Sequence, residues 1–419
     1  IKHYDENPDN LDERTLRYTR GFAVKMADVF LANNKRLSPN VRHKMLNNLA
    51  NNAIMKGRLL RAEFKEKEGF SPPSLCVMSP TMRCNLSCTG CYAFEYNKSK
   101  SGDYSYEVMD RICKEMKSFG SYFMVITGGE PYVRKQDLLR LFREHDDMYF
   151  ITYTNGTLID EKTAKDLERV GNVTPCISVE GYQDETDKRR GEGVYDRIRR
   201  AMKYLKENGV PFAISITVTK NNAEMVTKDE FIDFWMDKGA GFAWYFQYMP
   251  VGKNPDTSLM LSADQRNYVR NRVREIRESD RPFLLADFWG DGILSGGCLA
   301  AGRAYLHIGN GGAIEPCVFA QFHVHNIHDT TIREALKSDF FKKYRKAIED
   351  IDDLYRPCGV IDHPENLRKA VFESREKGEN VKASFETGEN TITTLAPEID
   401  RLAKEREEKV GVKWNNNEL

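Results

Sequence analysis

From Ser74 to Pro250, short runs rich in β-branched and aromatic residues alternate with longer runs whose apolar residues recur every three or four positions. This alternation predicts βα units and a parallel sheet. Six strands are predicted: SLCVMSP (Ser74 to Pro80), YFMVIT (Tyr122 to Thr127), MYFITYT (Met148 to Thr154), VTPCISV (Val173 to Val179), FAISITVT (Phe212 to Thr219) and FAWYFQYM (Phe242 to Met249). Between the first two, YEVMDRICKEMKSF places Val108, Met109, Ile112, Cys113, Met116 and Phe119 on one helical face. KQDLLRLFREHD and VYDRIRRAMKYLKENG are further helices, the second stopped by Gly209, and both Thr227 to Glu230 and Ser262 to Gln265 have capping-box spacing. Six consecutive units predict an α/β fold, a partial (β/α)6 barrel of the TIM type, open rather than closed at eight.

The periodicity changes at both ends. Residues 1–70 read as a helical flank with seven Lys or Arg and no acid between Val29 and Ala62. Val41, Met45, Leu49 and Ala53 recur near helical spacing, so the flank is expected to cap the barrel and turn a basic face to solvent. Peripheral contact with a membrane surface, or a grip on an anionic substrate, is the alternative. A core is expected over 71–290, a region of Gly- and Cys-containing loops and helices (Thr331 to Asp350, Pro364 to Arg375) over 291–376, and a polar, partly ordered tail over 377–419.

Composition narrows the class. The 419 residues carry 63 basic and 63 acidic side chains, so no whole-protein electrostatic case exists for nucleic acid. No apolar run approaches the roughly 18 residues of a membrane span. The polar start IKHYDENPDN does not read as a secretory signal. Nine cysteines, an odd number mostly outside disulfide spacings, fit a reducing cytoplasm. Cys76, Cys113 and Cys176 fall within predicted core elements and read as buried thiols.

The remaining cysteines carry the chemistry. CNLSCTGCY holds Cys84, Cys88 and Cys91 in one loop just past the first strand. Structural zinc normally takes four ligands from separated pairs, whereas an iron–sulfur cube held by three Cys leaves one iron for a ligand that is not protein. The spacing resembles that of the radical S-adenosylmethionine (SAM) enzymes. The resemblance implies a [4Fe-4S] cluster whose open iron binds SAM, reductive cleavage of SAM, and a 5′-deoxyadenosyl radical that takes hydrogen from a substrate. It further implies that Gly128, Gly129, Glu130 and Pro131 hold the methionine ammonium, and that Asn155 belongs to the TNG landmark. By the same resemblance Ser178 and Glu180 reach the ribose or methionine part, Arg190 or its neighbour Arg189 pairs with the carboxylate, and Tyr92 faces the adenine in place of an aromatic before the third cysteine.

Cys298, Gly312 and Cys317, with Cys358 beyond, resemble the SPASM and shorter TWITCH extensions that carry auxiliary Fe-S clusters. The resemblance implies one auxiliary cluster on Cys298, Cys317 and Cys358, its fourth iron open or held by Asp362, His363 or one of His323, His325 and His328. The three histidines by themselves read as a strand edge and loop. The expected partners are a peptide or small-molecule substrate and an electron donor such as flavodoxin or ferredoxin. Peptide or protein maturation is the leading function. A lipid or other small-molecule substrate is the alternative within the class, and a non-catalytic redox sensor or scaffold the alternative outside it.

Overall fold

In the computed structural model, which describes residues 13–91, 93, 102–252 and 255–409 (backbone alone at 13–18, 386 and 387), the alternation folds into one sheet. Its strands are β1 (Leu75–Met78), β2 (Phe123–Ile126), β3 (Tyr149–Thr154), β4 (Val173–Val179), β5 (Ala213–Val218), β6 (Phe242–Gln247), β7 (Leu284–Asp287), β8 (Tyr305–Ile308) and β9 (Ile314–Glu315). They lie in the order β7-β6-β5-β4-β3-β2-β1-β8-β9, and every pair is parallel except β8 with β9. The barrel stays open, with β7 and β9 as its free edges.

Two parallel strands exceed the predicted six. β7 and β8 lie beyond Pro250, where the alternation of strand-like and helical runs stops, and β8 sits among glycines in a stretch that reads as loop. β8 returns beside β1, Leu75 opposite Tyr305 and Val77 opposite His307. Successive residues of a strand face opposite sides. Cys76, Met78, Met124 and Ile126 are fully buried under the outer helices, whereas Tyr153, Ser178, Ser215, Thr217, Trp244 and Phe246 on the inner face are only half-buried.

Before the sheet come α1 (Glu13–Asn33), α2 (Pro39–Leu46), a π-helical stretch (Asn47–Lys56) and α3 (Gly57–Glu68). The last three form one rod laid across the N-terminal ends of the strands. Ser38 N donates to Gly209 O ahead of β5 at 3.0 Å, Asn40 Nδ2 to Glu168 O ahead of β4 at 2.7 Å, Asn48 Nδ2 to Met148 O ahead of β3 at 2.7 Å, and Arg61 Nη1 to Gly120 O ahead of β2 at 2.6 Å. The flank lies against the barrel through these polar contacts and through buried Val41 and Phe64, the latter edge-on to Phe119 at 5.1 Å. Its outward side carries exposed Leu46, Ile54, Met55 and Leu59, so the expected basic, solvated face is also apolar.

The outer face is covered by α4 (Tyr106–Ser118), α5 (Lys135–Glu144), α6 (Glu161–Val170), α7 (Gln183–Arg190), α8 (Val194–Glu207), α9 (Asp229–Lys238) and α10 (Ala263–Glu278). Ser262 and Gln265 form the expected capping box, but Thr227 does not, because its hydroxyl turns back to Ala223 O at 2.8 Å. Further on lie α11 (Asp339–Glu349) and α12 (Pro364–Glu376). The expected polar tail instead forms α13 (Glu386–Ile392) and α14 (Ala396–Lys409), which bury Ile392, Ala396, Ile399 and Ala403. So few buried apolar residues in a charged stretch explain why its composition reads as a polar tail. Cys76, Cys113 and Cys176 are fully buried, as expected. No helix among the described residues is long and apolar enough to cross a membrane.

Candidate active site

The cysteine loop leaves the C-terminal end of β1 and is fastened to the turn after β2. Thr127 N donates to Met78 O at 2.9 Å, Gly129 N to Thr81 O at 3.0 Å and Glu130 N to Arg83 O at 2.8 Å. The two glycines are required by this approach: a Cβ on Gly128 (φ 124°) would lie 2.1 Å from Thr81 O, and one on Gly129 would lie 2.3 Å from Met82 O. Pro131 then starts a 3₁₀ turn that Glu130 caps.

Glu130 is fully buried. Its Oε1 accepts from Tyr132 N at 3.0 Å and Thr154 Oγ1 at 2.8 Å, and its Oε2 from Asn155 N at 2.7 Å. A carboxylate offers about four acceptor sites, so this one keeps capacity on Oε2. Burial pushes its pKa up to about 7 against the opposing pull of these bonds. Asn155 continues the web: its Nδ2 donates to Asn85 Oδ1 at 2.9 Å and approaches Cys84 Sγ at 3.8 Å, while its Oδ1 accepts from Thr157 N at 2.9 Å.

The other side of the loop meets the end of α7. Thr89 N donates to Arg189 O at 3.0 Å, and Arg189 Nε to Thr89 O at 3.2 Å. Glu180, buried past β4, is clamped by Arg190 Nε at 2.9 Å and Arg189 Nη1 at 2.6 Å. Arg190 thus already has a carboxylate partner, a link the sequence did not disclose. Burial raises the Cys88 thiol, with Arg190 and Arg189 opposing. Ser178 lies on the half-buried inner face of β4. Tyr92 lies outside the described residues.

The second thiol set gathers behind β8. Tyr305 Oη donates to Cys317 Sγ at 2.7 Å. Burial raises Cys298 and Cys317 to about 11 and Cys358 to about 12, each with another thiol of the set among the further causes. Of the non-cysteine ligands considered, Asp362 is committed elsewhere. It is fully buried and ion-paired with Arg266, with Arg406 at 3.9 Å; burial alone would raise its carboxyl, but the two guanidiniums hold it below the ordinary range. His323 Nδ1 lies 3.0 Å from Ser384 Oγ, and the His325 to Ile327 segment pins the turn at Gly312. His363 follows Cys358 in the same loop, its backbone N–H donating to Cys358 O at 3.0 Å.

Between the two sets, β8 contributes a buried group that sequence reasoning missed. His307 bonds Glu315 through Nδ1 and Ser79 Oγ through Nε2, the latter at 2.7 Å. Their separations in sequence, 8 and 228 residues, left no local signal. The group joins β9 and β8 to the start of the cysteine loop.

Residues 78–229 match the family model of the Radical SAM superfamily. This segment is a radical SAM domain. Over a wider span the chain is 29% identical to an Fe-coproporphyrin III synthase of Methanosarcina barkeri, covering 49% of this chain and 53% of that protein. It is 26% identical to an AdoMet-dependent heme synthase of Oleidesulfovibrio alaskensis (68% and 79%) and 23% identical to a cysteine-type anaerobic sulfatase-maturating enzyme of Clostridium perfringens (68% and 86%). The chain thus spans about half the length of the first of these relatives. A solved structure of anSMEcpe with bound AdoMet and Cp18Cys peptide shares the fold at a TM-score of 0.54 and 21% identity, covering 80% and 99% of the two chains.

A radical SAM enzyme uses a [4Fe-4S] cluster and SAM, and the residues here fit that donor set. Leu86 N donates to Cys84 Sγ, Phe319 N to Cys317 Sγ and Val360 N to Cys358 Sγ, each at 3.4 Å. Backbone donors on sulfur stabilise a thiolate and tune a cluster. Among the described residues no three His, Cys, Asp or Glu side chains converge as they would around a single metal ion.

Proposed function

We propose that this radical SAM enzyme matures a peptide or protein substrate, taking hydrogen from a side chain held inside the open barrel. Cys84, Cys88 and Cys91 would hold the SAM-binding cluster, and Cys298, Cys317 and Cys358 an auxiliary one. When bound, the first cluster and SAM supply a 5′-deoxyadenosyl radical. The chain's own work is to position and to exclude. Glu130 offers its remaining acceptor site to the methionine ammonium beside the Gly128–Gly129 backbone. The Glu180–Arg190–Arg189 clamp fixes the far side of the loop and presents guanidinium to a carboxylate. Ser178 offers a hydroxyl from the inner wall.

The observation that carries the peptide reading is the unclosed sheet. With β7 and β9 as free edges, a polymer can cross the interior without being threaded. The similarity to a sulfatase-maturating enzyme, which extends past the barrel, supports it. A tetrapyrrole is the second reading, favoured by the similarity to heme and Fe-coproporphyrin III synthases. An acidic flavodoxin or ferredoxin would donate the electron. Nine free thiols suit a reducing cytoplasm, and the apolar and basic outward face of the N-terminal rod suits peripheral contact with a membrane.

The test is isotopic. Reduced, reconstituted protein is incubated with SAM and a perdeuterated proteome-derived peptide mixture, and 5′-deoxyadenosine is analysed by mass spectrometry. Deuterium in the product supports a peptide substrate. Deuterium only from a labelled tetrapyrrole would replace that reading with the second.

A further inference from the structure

The inner face of the sheet carries an unbroken run of aromatic rings between the two thiol sets. Tyr153 on β3 meets Phe246 on β6 edge-on, centroids 5.4 Å apart. Phe246 lies near-parallel to Trp244, at 6.2 Å and 20°, and contacts Phe288 at 5.5 Å. Phe288 reaches Tyr305 at 6.1 Å, whose hydroxyl sits on Cys317. At the other end, Tyr153 immediately precedes Thr154 and Asn155, which bond Glu130, and Asn155 Nδ2 approaches Cys84 Sγ at 3.8 Å.

These rings are not packed as core. Trp235, Phe142 and Phe150 elsewhere in the sheet and its helices are fully buried, but Tyr153, Trp244, Phe246 and Phe288 remain half-buried on a concave interior surface. Trp244 Nε1 is buried and has no acceptor. A buried indole N–H usually finds an acceptor; Trp235 Nε1 in the packed core also lacks one, but Trp244 borders the half-buried interior, where a bound group can reach it. The neighbouring half-buried side chains of the inner wall, Ser178, Ser215 and Thr217, are uncharged. A charged group placed among these residues would lose its hydration without a counter-ion.

We propose that this chamber receives a planar conjugated ring that adjoins the reacting carbon of the substrate, packed against Phe246 and Trp244, with Trp244 Nε1–H donating to an acceptor on the ring or its substituents. The proposal rests on the radical SAM reading in taking the interior as the reaction chamber, and adds the chemical class of what enters it. Aromatic pairing supplies geometric preference beyond burial, which is why a ring is specified and not any apolar group. A peptide's aromatic side chain and a tetrapyrrole both offer such a ring.

Equilibrium dialysis under anaerobic conditions tests it, using the reconstituted full chain with SAM and no reductant. The probes are a blocked tyrosine-containing pentapeptide, the same peptide with leucine, and iron coproporphyrin III. At least one ring probe should bind about ten-fold or more tighter than the leucine peptide, and which one binds identifies the source. Phe246→Ala and Trp244→Ala should each weaken that probe about ten-fold, and Trp244→Phe about three-fold through the lost donor alone. Ile54→Lys, on the exposed N-terminal rod, should leave binding unchanged. Equal binding of leucine and ring probes, or no binding of either ring probe, overturns the proposal. So does unchanged affinity in Phe246→Ala; should the alanine variants fail to fold, unchanged affinity in Trp244→Phe overturns it instead. SAM cleavage to 5′-deoxyadenosine, assayed separately with reductant, reports on the enzyme reading, so the two can fail independently.

Discussion

Glu130 ties the turn after β2 to the turn after β3 while keeping one acceptor site unspent, and these two properties make separate demands. Glu130→Gln retains the shape but exchanges charge-assisted for neutral hydrogen bonds. SAM binding should weaken by about 1 to 2 kcal/mol, measured by calorimetry, with iron content unchanged. The pH dependence has a definite sign. Burial sets this carboxyl at about 7, above its ordinary 4.5, so it is protonated below that value and ionised above it. An ammonium ligand needs the ionised form, so SAM affinity should rise as pH increases through the window around 7, and the Gln variant should show a flatter profile. Affinity that falls over that window would remove Glu130 from ammonium binding.

The glycine turns and the N-terminal rod show at the level of elements why some of the structure was legible and some was not. The regular alternation of strand-like and helical runs from Ser74 to Pro250 makes β1 to β6 readable, and GGEP, TNG and the cysteine loop each follow a strand that the alternation marks. The purpose of Gly128 and Gly129 was not legible, because the backbone they press against is the cysteine loop, a separate segment of chain. Gly129→Ala should therefore displace the loop at Met82 and Arg83, with loss of SAM binding and of about half the iron, while the auxiliary set stays loaded. Full iron with normal SAM affinity would contradict this. The rod was legible as helix, but its attachment by Asn40, Asn48 and Arg61 to strand-preceding carbonyls was not, since polar side chains facing a barrel carry no periodic signature. Asn48 is fully buried and donates to Asp146 O at 2.8 Å and Met148 O at 2.7 Å. Asn48→Ala removes both bonds, leaving Met148 O to Asn172 Nδ2 at 3.1 Å and Asp146 O to Lys44 Nζ at 3.4 Å, and should cost about 1 to 2 kcal/mol, read as a lower urea midpoint, with SAM affinity little changed because the rod lies at the opposite end of the strands.

In the molecule as a whole, β1 and β8 lie side by side, one leading to the SAM-cluster loop and the other backing the auxiliary set, with His307, Glu315 and Ser79 between them. Two clusters of four irons predict about eight irons per carefully reconstituted chain, and about four after replacing Cys298, Cys317 and Cys358 together with Ala. Four in the intact protein would leave no room for the second cluster. Whether Cys84, Cys88 and Cys91 carry the chemistry is read from anaerobic 5′-deoxyadenosine formation from SAM and dithionite by the intact protein and by the variant with all three changed to Ala. 5′-Deoxyadenosine is expected from the intact protein and none above background from the variant, which retains about half the iron on the auxiliary set. Undiminished 5′-deoxyadenosine from the variant would contradict that role.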